Sequence, residues 1–438
     1  MTEPENIIFA EPSKAFFVGM LTRDITATQC ILDLVDNSIH SLIRETNIDV
    51  MDLLLGETPS RKVNAKISIL LSKNVFEIVD KCGGITIDDA KNDVFRLGNP
   101  THEKTHAGLG VYGIGMKRAF FKLGRFIRVE SKTSDEEFLV EIDVDKWEKK
   151  VDWNLEFTYA RPFAGNGDGG TKIDVTKLYE PIRNLFSTAF FQKELIRKLG
   201  ATYNLFLNTG LQISVNNAPV KAQLPEFLKS KDLQPARQVF KADGVDVLVL
   251  AGVTPREDKQ PRGWYIFCNG RMVVEADKTS LTGWGEALPQ FHTKYNHFLG
   301  IVYFRSSNLL LLPWTTTKDG VERESAVYQL ALGRMGVLAK PILDFFNVTY
   351  AKDVAIEGKE QIDLIESAKT ISIQTLARSS NQTWSARPRK STTGERVSIC
   401  YQRSRKQVNR VKEALDRPNM SNKAVGEYTF DYYLKKEL

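Results

Sequence analysis

Apolar residues at helical spacing mark the first long helix of the chain. Between residues 27 and 45, Ile31, Leu34, Val35, Ile39 and Leu42 recur at intervals of one, three and four residues. Such intervals place side chains on one face of an α-helix. We therefore predict an amphipathic helix over residues 27–45.

Runs rich in β-branched and aromatic residues follow, with lengths typical of strands. Such runs in the first part of the chain lie at residues 63–71, 75–79, 126–131, 138–142 and 171–175. Several are separated by short polar turns, which favours antiparallel pairing. Helices alternating with such strands predict an α+β layer.

A second unit begins near residue 186. Its predicted helices are 190–199, 326–346 and 355–376, and its predicted strands are 205–215, 245–251, 264–268, 298–304 and 309–312. Residues 379–395 are rich in Ser, Thr and Arg, which indicates a linker. The end of the chain predicts a strand at 397–401, a helix at 407–415 and an aromatic helix at 428–434.

The chain has 438 residues, which is too long for one compact core. We predict a first domain at 1–185, a second at 186–348, a helix and basic linker at 349–395, and a small basic module at 396–438. No apolar run approaches the roughly 20 residues needed to cross a bilayer. The four cysteines form no C-x-x-C pair, and no secretory signal is evident, so we expect a cytoplasmic protein without a structural zinc site.

Positive charge is concentrated at the end of the chain. The formal net charge is +6, but residues 371–438 carry +8, so the remainder sums to −2. A basic tail on a neutral body either contacts an acidic partner such as nucleic acid or is simply solvated. Both interpretations remain open from composition alone.

Two acidic motifs are candidates for ligand chemistry. Asp33 and Asn37 are four residues apart, so they share a face of the first helix. A carboxylate and an amide there can hold a water molecule and a Mg²⁺ ion with its phosphates. Asp80 follows a predicted strand and precedes Gly83 and Gly84, where small residues let a flat group approach the backbone. Taken singly, the pair Asp33 and Asn37 is also typical of a solvated polar stripe on a helix. The segment that begins at Asp80 is also typical of a tight turn.

A glycine-rich segment precedes an apolar helix. It consists of Gly108, Leu109, Gly110, Val111, Tyr112, Gly113, Ile114, Gly115, Met116 and Lys117. Glycines before a helix start expose backbone N–H groups that, with the helix dipole, favour anions. The spacing differs from a Walker A motif, and a flexible loop is the alternative.

A lysine-bearing loop follows about 200 residues later. Lys318 lies in the segment 313–320, after the predicted strand at 309–312. A lysine there could reach a terminal phosphate from the second unit. Taken by itself, the loop is also typical of a solvated hairpin.

These four signals, in this order, resemble the GHKL ATPases, which include DNA gyrase, MutL, the ninety-kilodalton heat-shock chaperone, sensor histidine kinases and MORC proteins. The resemblance covers roughly residues 10–345 and is closest to prokaryotic MORC-like proteins. It implies a Bergerat-type ATP-binding sandwich, with helices on a mixed, mostly antiparallel sheet. It also implies a following α/β transducer domain and a small C-terminal region.

The resemblance implies ATP and Mg²⁺ as ligands and assigns roles to individual residues. Asn37 would coordinate Mg²⁺, and Asp33 occupies the position of the general base. Asp80 and Gly84, with Thr171, would bind adenine. Residues 108–117 resemble the phosphate-binding lid, and Lys318 fits the transducer lysine that reaches the γ-phosphate.

The sequence departs from the family pattern at three positions. Asp33 stands where Glu is usual, so its carboxylate is one methylene shorter and we expect slow hydrolysis. His40 stands where many members have Asp, and Cys82 replaces the first glycine of the Asp-x-Gly-x-Gly pattern. None of these changes prevents ATP binding.

The segment from His102 to His106 matches the H-E-x-x-H pattern of zinc proteases. That chemistry requires both histidines on one helix face. Pro100 before the motif and Gly108 after it disfavour a helix, so we predict a polar lid instead.

The resemblance implies a slow ATP-hydrolysing switch whose lid closes over nucleotide and which forms an ATP-dependent homodimer. Residues 1–20 are either a dimer strap or an N-terminal segment packed on its own domain. A DNA-associated role, in genome maintenance or anti-phage defence, would use the basic C-terminal region. The alternatives are a chaperone-like ATPase that regulates a partner protein and a nucleotide sensor with little turnover. We expect no membrane partner.

Overall fold

The structure is a computed structural model that describes residues 13–46, 64–96, 109, 113–163, 169–223, 225–255, 260–350, 356–387, 399 and 401–437. The chain packs as two compact units, Met1–Arg389 and Lys390–Leu438. The four predicted domains are finer than this division and remain predictions.

Two helices open the first unit, α1 (Lys14–Arg23) and α2 (Ala27–Thr46). Thr26 and Gln29 form reciprocal hydrogen bonds at the start of α2: the Gln29 N–H donates to Thr26 Oγ1, and the Thr26 N–H donates to Gln29 Oε1. This capping box satisfies backbone donors that a helix start leaves free. The predicted helix at 27–45 is confirmed.

The remaining elements of the first sheet region are β1 (Lys66–Leu71), β2 (Phe76–Asp80), α3 (Ile87–Asp89, continuing as a π-helical segment at Ala90–Val94), α4 (Gly115–Leu123), β3 (Gly124–Lys132), β4 (Glu136–Asp143), α5 (Val144–Trp147), β5 (Phe157–Pro162), β6 (Gly170–Leu178), α6 (Glu180–Phe186), α7 (Ala189–Thr202), α8 (Asn204–Asn208), β7 (Gln212–Val215) and β8 (Ala218–Pro219). Their strands form one eight-stranded sheet in the order β5-β4-β3-β6-β2-β1-β7-β8. Among the strands that the structure describes in this sheet, β1 and β7 pair in parallel and the other pairs are antiparallel.

One face of this sheet forms the core. A row of paired apolar residues crosses five strands: Ile69, Ile78, Ile173, Val129 and Val140. All five are buried in the same cluster as the apolar face of α2. Burial of such side chains, at about 25 cal/mol per Å² of apolar surface, drives the helix onto the sheet.

The next row on the same face is polar where apolar residues are expected. It contains Asp80, Thr171 and Ser131, each two residues from a member of the apolar row. Alternation along a strand puts residues i and i+2 on one face, so these polar side chains point towards the helix layer. The sheet therefore carries a buried polar patch beneath α2.

A second sheet of five strands follows, in the order β11-β12-β15-β13-β14. Its strands are β11 (Ala236–Ala242), β12 (Val245–Val253), β13 (Gly263–Cys268), β14 (Arg271–Asp277) and β15 (Phe298–Arg305). The other elements of this region are β9 (Phe227–Lys229), β10 (Leu233–Gln234), α9 (Ala326–Thr349), α10 (Ile356–Ser367), β16 (Lys369–Ile371), α11 (Ile373–Ala377) and β17 (Ser385–Ala386). Short 3₁₀ helices lie at Ser280–Thr282, Thr293–Tyr295 and Leu309–Leu311. Helix α9 packs on β12 and β15.

Three predicted elements of this region were wrong in part. Residues 309–311 form a 3₁₀ helix instead of a strand, because the Asn308 side chain accepts a hydrogen bond from Leu310 N–H and starts a tight turn. Residues 205–208 belong to α8, so the strand predicted at 205–215 covers only β7. The helix predicted at 355–376 is broken by β16, which pairs with β9.

The second unit contains α12 (Arg405–Ala414) and α13 (Asn422–Glu437). A capping box between Ser404 and Gln407 starts α12. Both helices predicted here are confirmed, and the strand predicted at 397–401 lies mostly outside the described residues.

The architecture confirms the predicted α+β class, with helices on a large and mostly antiparallel sheet, consistent with a GHKL ATP-binding fold followed by further domains. Among the described residues, no helix is both long enough and apolar enough to cross a membrane.

Candidate functional site

Asp80 ends β2 at the centre of the polar patch. Its Oδ2 accepts a hydrogen bond from Ser38 Oγ of α2 at 2.7 Å. Its Oδ1 accepts from the backbone N–H groups of Cys82 at 3.1 Å and Thr171 at 3.2 Å. Burial raises the pKa of this carboxyl, and the three hydrogen bonds oppose that shift. Asp80 is thus a fixed, buried acceptor at the end of the strand.

Glycines let the backbone close tightly around Asp80. Gly84 has φ +77°, and a Cβ there would overlap the carbonyl oxygen of Lys132. A Cβ on Gly170 would likewise overlap the carbonyl oxygen of Asp80. A larger side chain would push the loop away from the end of β3 at position 84, and would push β6 away from β2 at position 170.

Two hydroxyl groups continue the polar patch beside these glycines. Ser131 Oγ lies 3.0 Å from Thr171 Oγ1 and accepts a hydrogen bond from Ile85 N–H at 2.8 Å. Thr171, a predicted site residue, therefore lies next to Asp80. Ser38 and Ser131 were not predicted from the sequence, although Ser131 interrupts the buried alternation of Ile127 and Val129 and so carried a detectable signal.

Asp33 and Asn37 lie one turn apart on α2, as predicted. Asp33 is buried, with 6% of its surface exposed. Burial raises the pKa of its carboxyl to about 6, although the positive charge of Lys318 opposes the shift. Asn37 is half-buried, and within the part of the chain that the structure describes its side-chain amide has no hydrogen-bond partner. Both side chains thus retain capacity to bind a ligand.

Helix α4 begins directly against Asp33. A Cβ on Gly115 would lie 3.2 Å from Asp33 Oδ2, so glycine permits the close approach of the two helices. Gly113 has φ +61°, and the Nζ of Lys117 donates to its carbonyl oxygen. Lys117 is buried, and burial lowers its pKa to about 8.

The predicted lid is described only in part. Gly113, Ile114, Gly115, Met116 and Lys117 lie at or next to the start of α4. Gly108, Gly110, Val111, Tyr112 and the histidine motif at 102–106 lie outside the described residues, as does most of the strap at 1–20. The predictions for those residues stay predictions.

Lys318 is buried in the structure, with 7% of its surface exposed, so the solvated-hairpin alternative does not describe it. Its Nζ forms an ion pair with Asp36 Oδ2 at 2.8 Å. Gln29, on the first turn of α2, donates to the neighbouring Asp319. The loop thus lies against α2, beside Asp33.

These residues fit a Mg²⁺-nucleotide in their chemistry. The described residues contain no cluster of three His, Cys, Asp or Glu side chains able to hold a metal. Mg²⁺ characteristically keeps several waters and binds through substrate phosphates, so a single amide such as Asn37 suffices for an ion carried by a nucleotide. Asp80 can accept a hydrogen bond from an exocyclic amine, and the glycines leave room for a flat ring.

Comparison with protein families gives a match to the first part of the chain. Residues 25–168, about a third of the chain, match a family profile described as "Histidine kinase-, DNA gyrase B-, and HSP90-like ATPase". The match supports the GHKL superfamily for this segment, and it contains Asp33, Asn37, Asp80 and the glycine-rich segment. A comparison with curated proteins found no match.

Proposed function

We propose that this chain binds ATP with Mg²⁺ and hydrolyses it slowly, as a nucleotide-dependent switch. The observation that carries the proposal is the convergence of three distant segments. Helix α2, the end of β2 and the start of β6 bring Ser38, Asp80 and Thr171 together, and Asp33 lies five residues before Ser38 on the same helix. These residues lie far apart in the sequence, so their spacing alone does not show that they are neighbours.

Each polar group has a role in the proposed reaction. Asp80 accepts a hydrogen bond from the adenine amine, and Thr171 supports it. Asn37 holds Mg²⁺, which when bound neutralises phosphate charge. Asp33 orients the attacking water and takes its proton. Lys318 stabilises the charge of the terminal phosphate.

The test is Mg²⁺-dependent ATP hydrolysis by the full chain beside Asp33→Asn and Asp80→Asn. We expect Asp33→Asn to bind ATP without turnover and Asp80→Asn to bind ATP about 10- to 100-fold more weakly. Equal ATP affinity in Asp80→Asn and the unaltered chain would contradict the assignment of the adenine site.

The short side chain of Asp33 favours a second candidate, a nucleotide sensor with little turnover. The carboxylate is one methylene shorter than the usual glutamate, so its reach to the attacking water is reduced. Tight ATP binding with no hydrolysis, unchanged by Asp33→Asn, would support the sensor over the ATPase.

We further propose an association with DNA through the unit Lys390–Leu438, and ATP-dependent homodimerisation. Exposed basic residues on α12, including Arg405, Lys406 and Arg410, support the first proposal. The resemblance to MORC and MutL proteins supports both.

A further inference from the structure

A buried carboxylate one turn from Asp33 joins four segments of the first unit. Asp36 is fully buried. Its Oδ1 accepts hydrogen bonds from Tyr203 Oη at 2.7 Å and from Arg271 Nε at 2.9 Å. Its Oδ2 accepts from Lys318 Nζ at 2.8 Å. These donors come from the end of α7, the start of β14 and the loop at 313–320.

The two oxygens of Asp36 have different partners. Arg271 and Tyr203 satisfy Oδ1, while Oδ2 accepts a hydrogen bond from the flexible side chain of Lys318. Removing the amine from Oδ2 would leave the carboxylate paired at Oδ1. The buried charge of Asp36 would therefore keep its partners at Oδ1. The high free-energy cost of an unpaired buried charge would be avoided.

Arg271 also holds the backbone of the lysine loop. Its guanidinium donates to the carbonyl oxygen of Lys318 as well as to Asp36. Tyr203 Oη also lies 2.8 Å from the carbonyl oxygen of Leu32, on the same turn of α2 as Asp33, so its single hydroxyl proton is shared between that oxygen and Asp36. The backbone of Lys318 is thereby anchored, while its amine has the freedom of a four-carbon side chain.

Two positive charges lie at this cluster. Arg271 and Lys318 both face the carboxylate of Asp36, and Asp33 lies one turn away on α2. A further anion close to Asp33 would therefore be attracted by the Lys318 amine. In the proposed reaction that anion is the terminal phosphate.

We propose that Asp36 is a positioning residue. Clamped by Arg271 and Tyr203, it holds the Lys318 amine beside Asp33, from where the amine passes to the terminal phosphate of a bound nucleotide. This inference rests on the proposed ATPase function. It adds a carboxylate that acts through Lys318 and that links the transducer strand β14 to the nucleotide-binding helix.

A double-mutant cycle tests the inference with the full-length protein: Asp36→Asn, Lys318→Met and the double variant. We measure kcat and KM for ATP and the melting temperature of each. Misplacing a catalytic group by about 1 Å can cost about 100-fold, so we expect Asp36→Asn to lower kcat about 10- to 100-fold with KM unchanged. In the Lys318→Met background, Asp36→Asn should lower kcat no further, because residues that act as one unit are not additive.

Tyr203→Phe is a milder second variant, in case Asp36→Asn fails to fold. It removes one hydrogen bond to Asp36 and leaves Arg271 and Lys318 in place. We expect a severalfold lower kcat in the otherwise unaltered chain and no effect in the Lys318→Met background.

Two results would overturn the inference while leaving the proposed function intact. One is an active wild-type enzyme in which the effects of Asp36→Asn and Lys318→Met multiply independently. The other is a lower melting temperature in both Asp36→Asn and Tyr203→Phe with unchanged kcat per folded molecule, which is what a purely structural contact predicts. A wild-type chain that neither binds nor hydrolyses ATP would overturn the proposed function and this inference together.

Discussion

At the residue scale, Asp33 is a buried carboxylate that accepts no hydrogen bond from the described residues. Burial raises its pKa to about 6. A general base works in its deprotonated form. The proposed reaction therefore requires a pH above that value.

We predict that kcat/KM for ATP falls as pH decreases through about 6. Because protonation of one base abolishes activity, the decline should approach about tenfold per pH unit well below the pKa. Steady-state hydrolysis across the acidic range measures this. A flat profile from about pH 5 to pH 8 would assign the base to another group, and unchanged ATP binding over the same range controls for unfolding.

We predict that Asp80→Asn weakens ATP binding about 10- to 100-fold, the equivalent of about 1.5–3 kcal/mol for a hydrogen bond to a charged group. The amide oxygen can still accept from Thr171 N–H and Cys82 N–H, but the NH2 group then replaces Oδ2 and cannot accept a hydrogen bond from the adenine amine. Isothermal titration calorimetry measures the affinity. Asp135→Asn, on the exposed β3–β4 turn, is the matched control and should bind normally.

At the scale of elements, the close approach of β6 to the end of β2 requires a glycine at position 170. Gly170 lies against the carbonyl oxygen of Asp80, where a Cβ would overlap that oxygen. Gly333, in the middle of α9, has no neighbour within 4 Å of the position a Cβ would take. An added methyl group would thus overlap the backbone at position 170 but would contact no neighbouring atom at position 333.

We predict that Gly170→Ala lowers the free energy of unfolding by about 1–3 kcal/mol, because β6 must shift away from β2. Gly333→Ala should instead raise it by up to about 1 kcal/mol, because alanine favours a helix interior. Urea denaturation of both variants measures the difference. Equal effects of the two substitutions would show that the close approach at β6 is not a constraint.

Helices and strands could be told apart from the sequence where the apolar pattern repeated over many residues. The twenty residues of α2 and the paired strands β3 and β4 repeat their patterns several times, so competing assignments fit poorly. Residues 309–312 and 205–208 are short apolar runs, which periodicity cannot assign to helix or strand. There the Asn308 cap and the packing of α8 decided the conformation.

At the scale of the whole molecule, the unit Lys390–Leu438 concentrates basic residues on α12. Arg405 and Lys406 occupy its first turn, and both are exposed. Contacts to DNA phosphates release counterions, so affinity depends on salt in proportion to their number.

We predict salt-dependent binding of duplex DNA by the full chain. Replacing Arg405 and Lys406 by alanine should reduce the slope of log affinity against log salt by about 2, which is about 0.9 per phosphate contact. Fluorescence anisotropy at several salt concentrations measures the slope. Replacing Lys435 and Lys436 on α13, also exposed, removes the same charge and is the control. An equal loss in both variants would indicate unspecific attraction.

The sequence by itself determined the order of the chemical groups, because the motifs around Asp33, Asp80 and Gly113 are local. It also determined the α+β class, because helical and strand periodicities are properties of neighbouring residues. Those patterns, through their resemblance to the GHKL ATPases, sufficed to propose a nucleotide site and most of its residues.

Only the tertiary structure decided which groups meet. Asp36 stands beside Asn37 in the sequence, yet its partners Tyr203, Arg271 and Lys318 lie more than 160 residues away. The buried row of Asp80, Thr171 and Ser131 likewise depends on strand register. Such contacts arise when separate elements bury a common core, and no local pattern encodes their pairing.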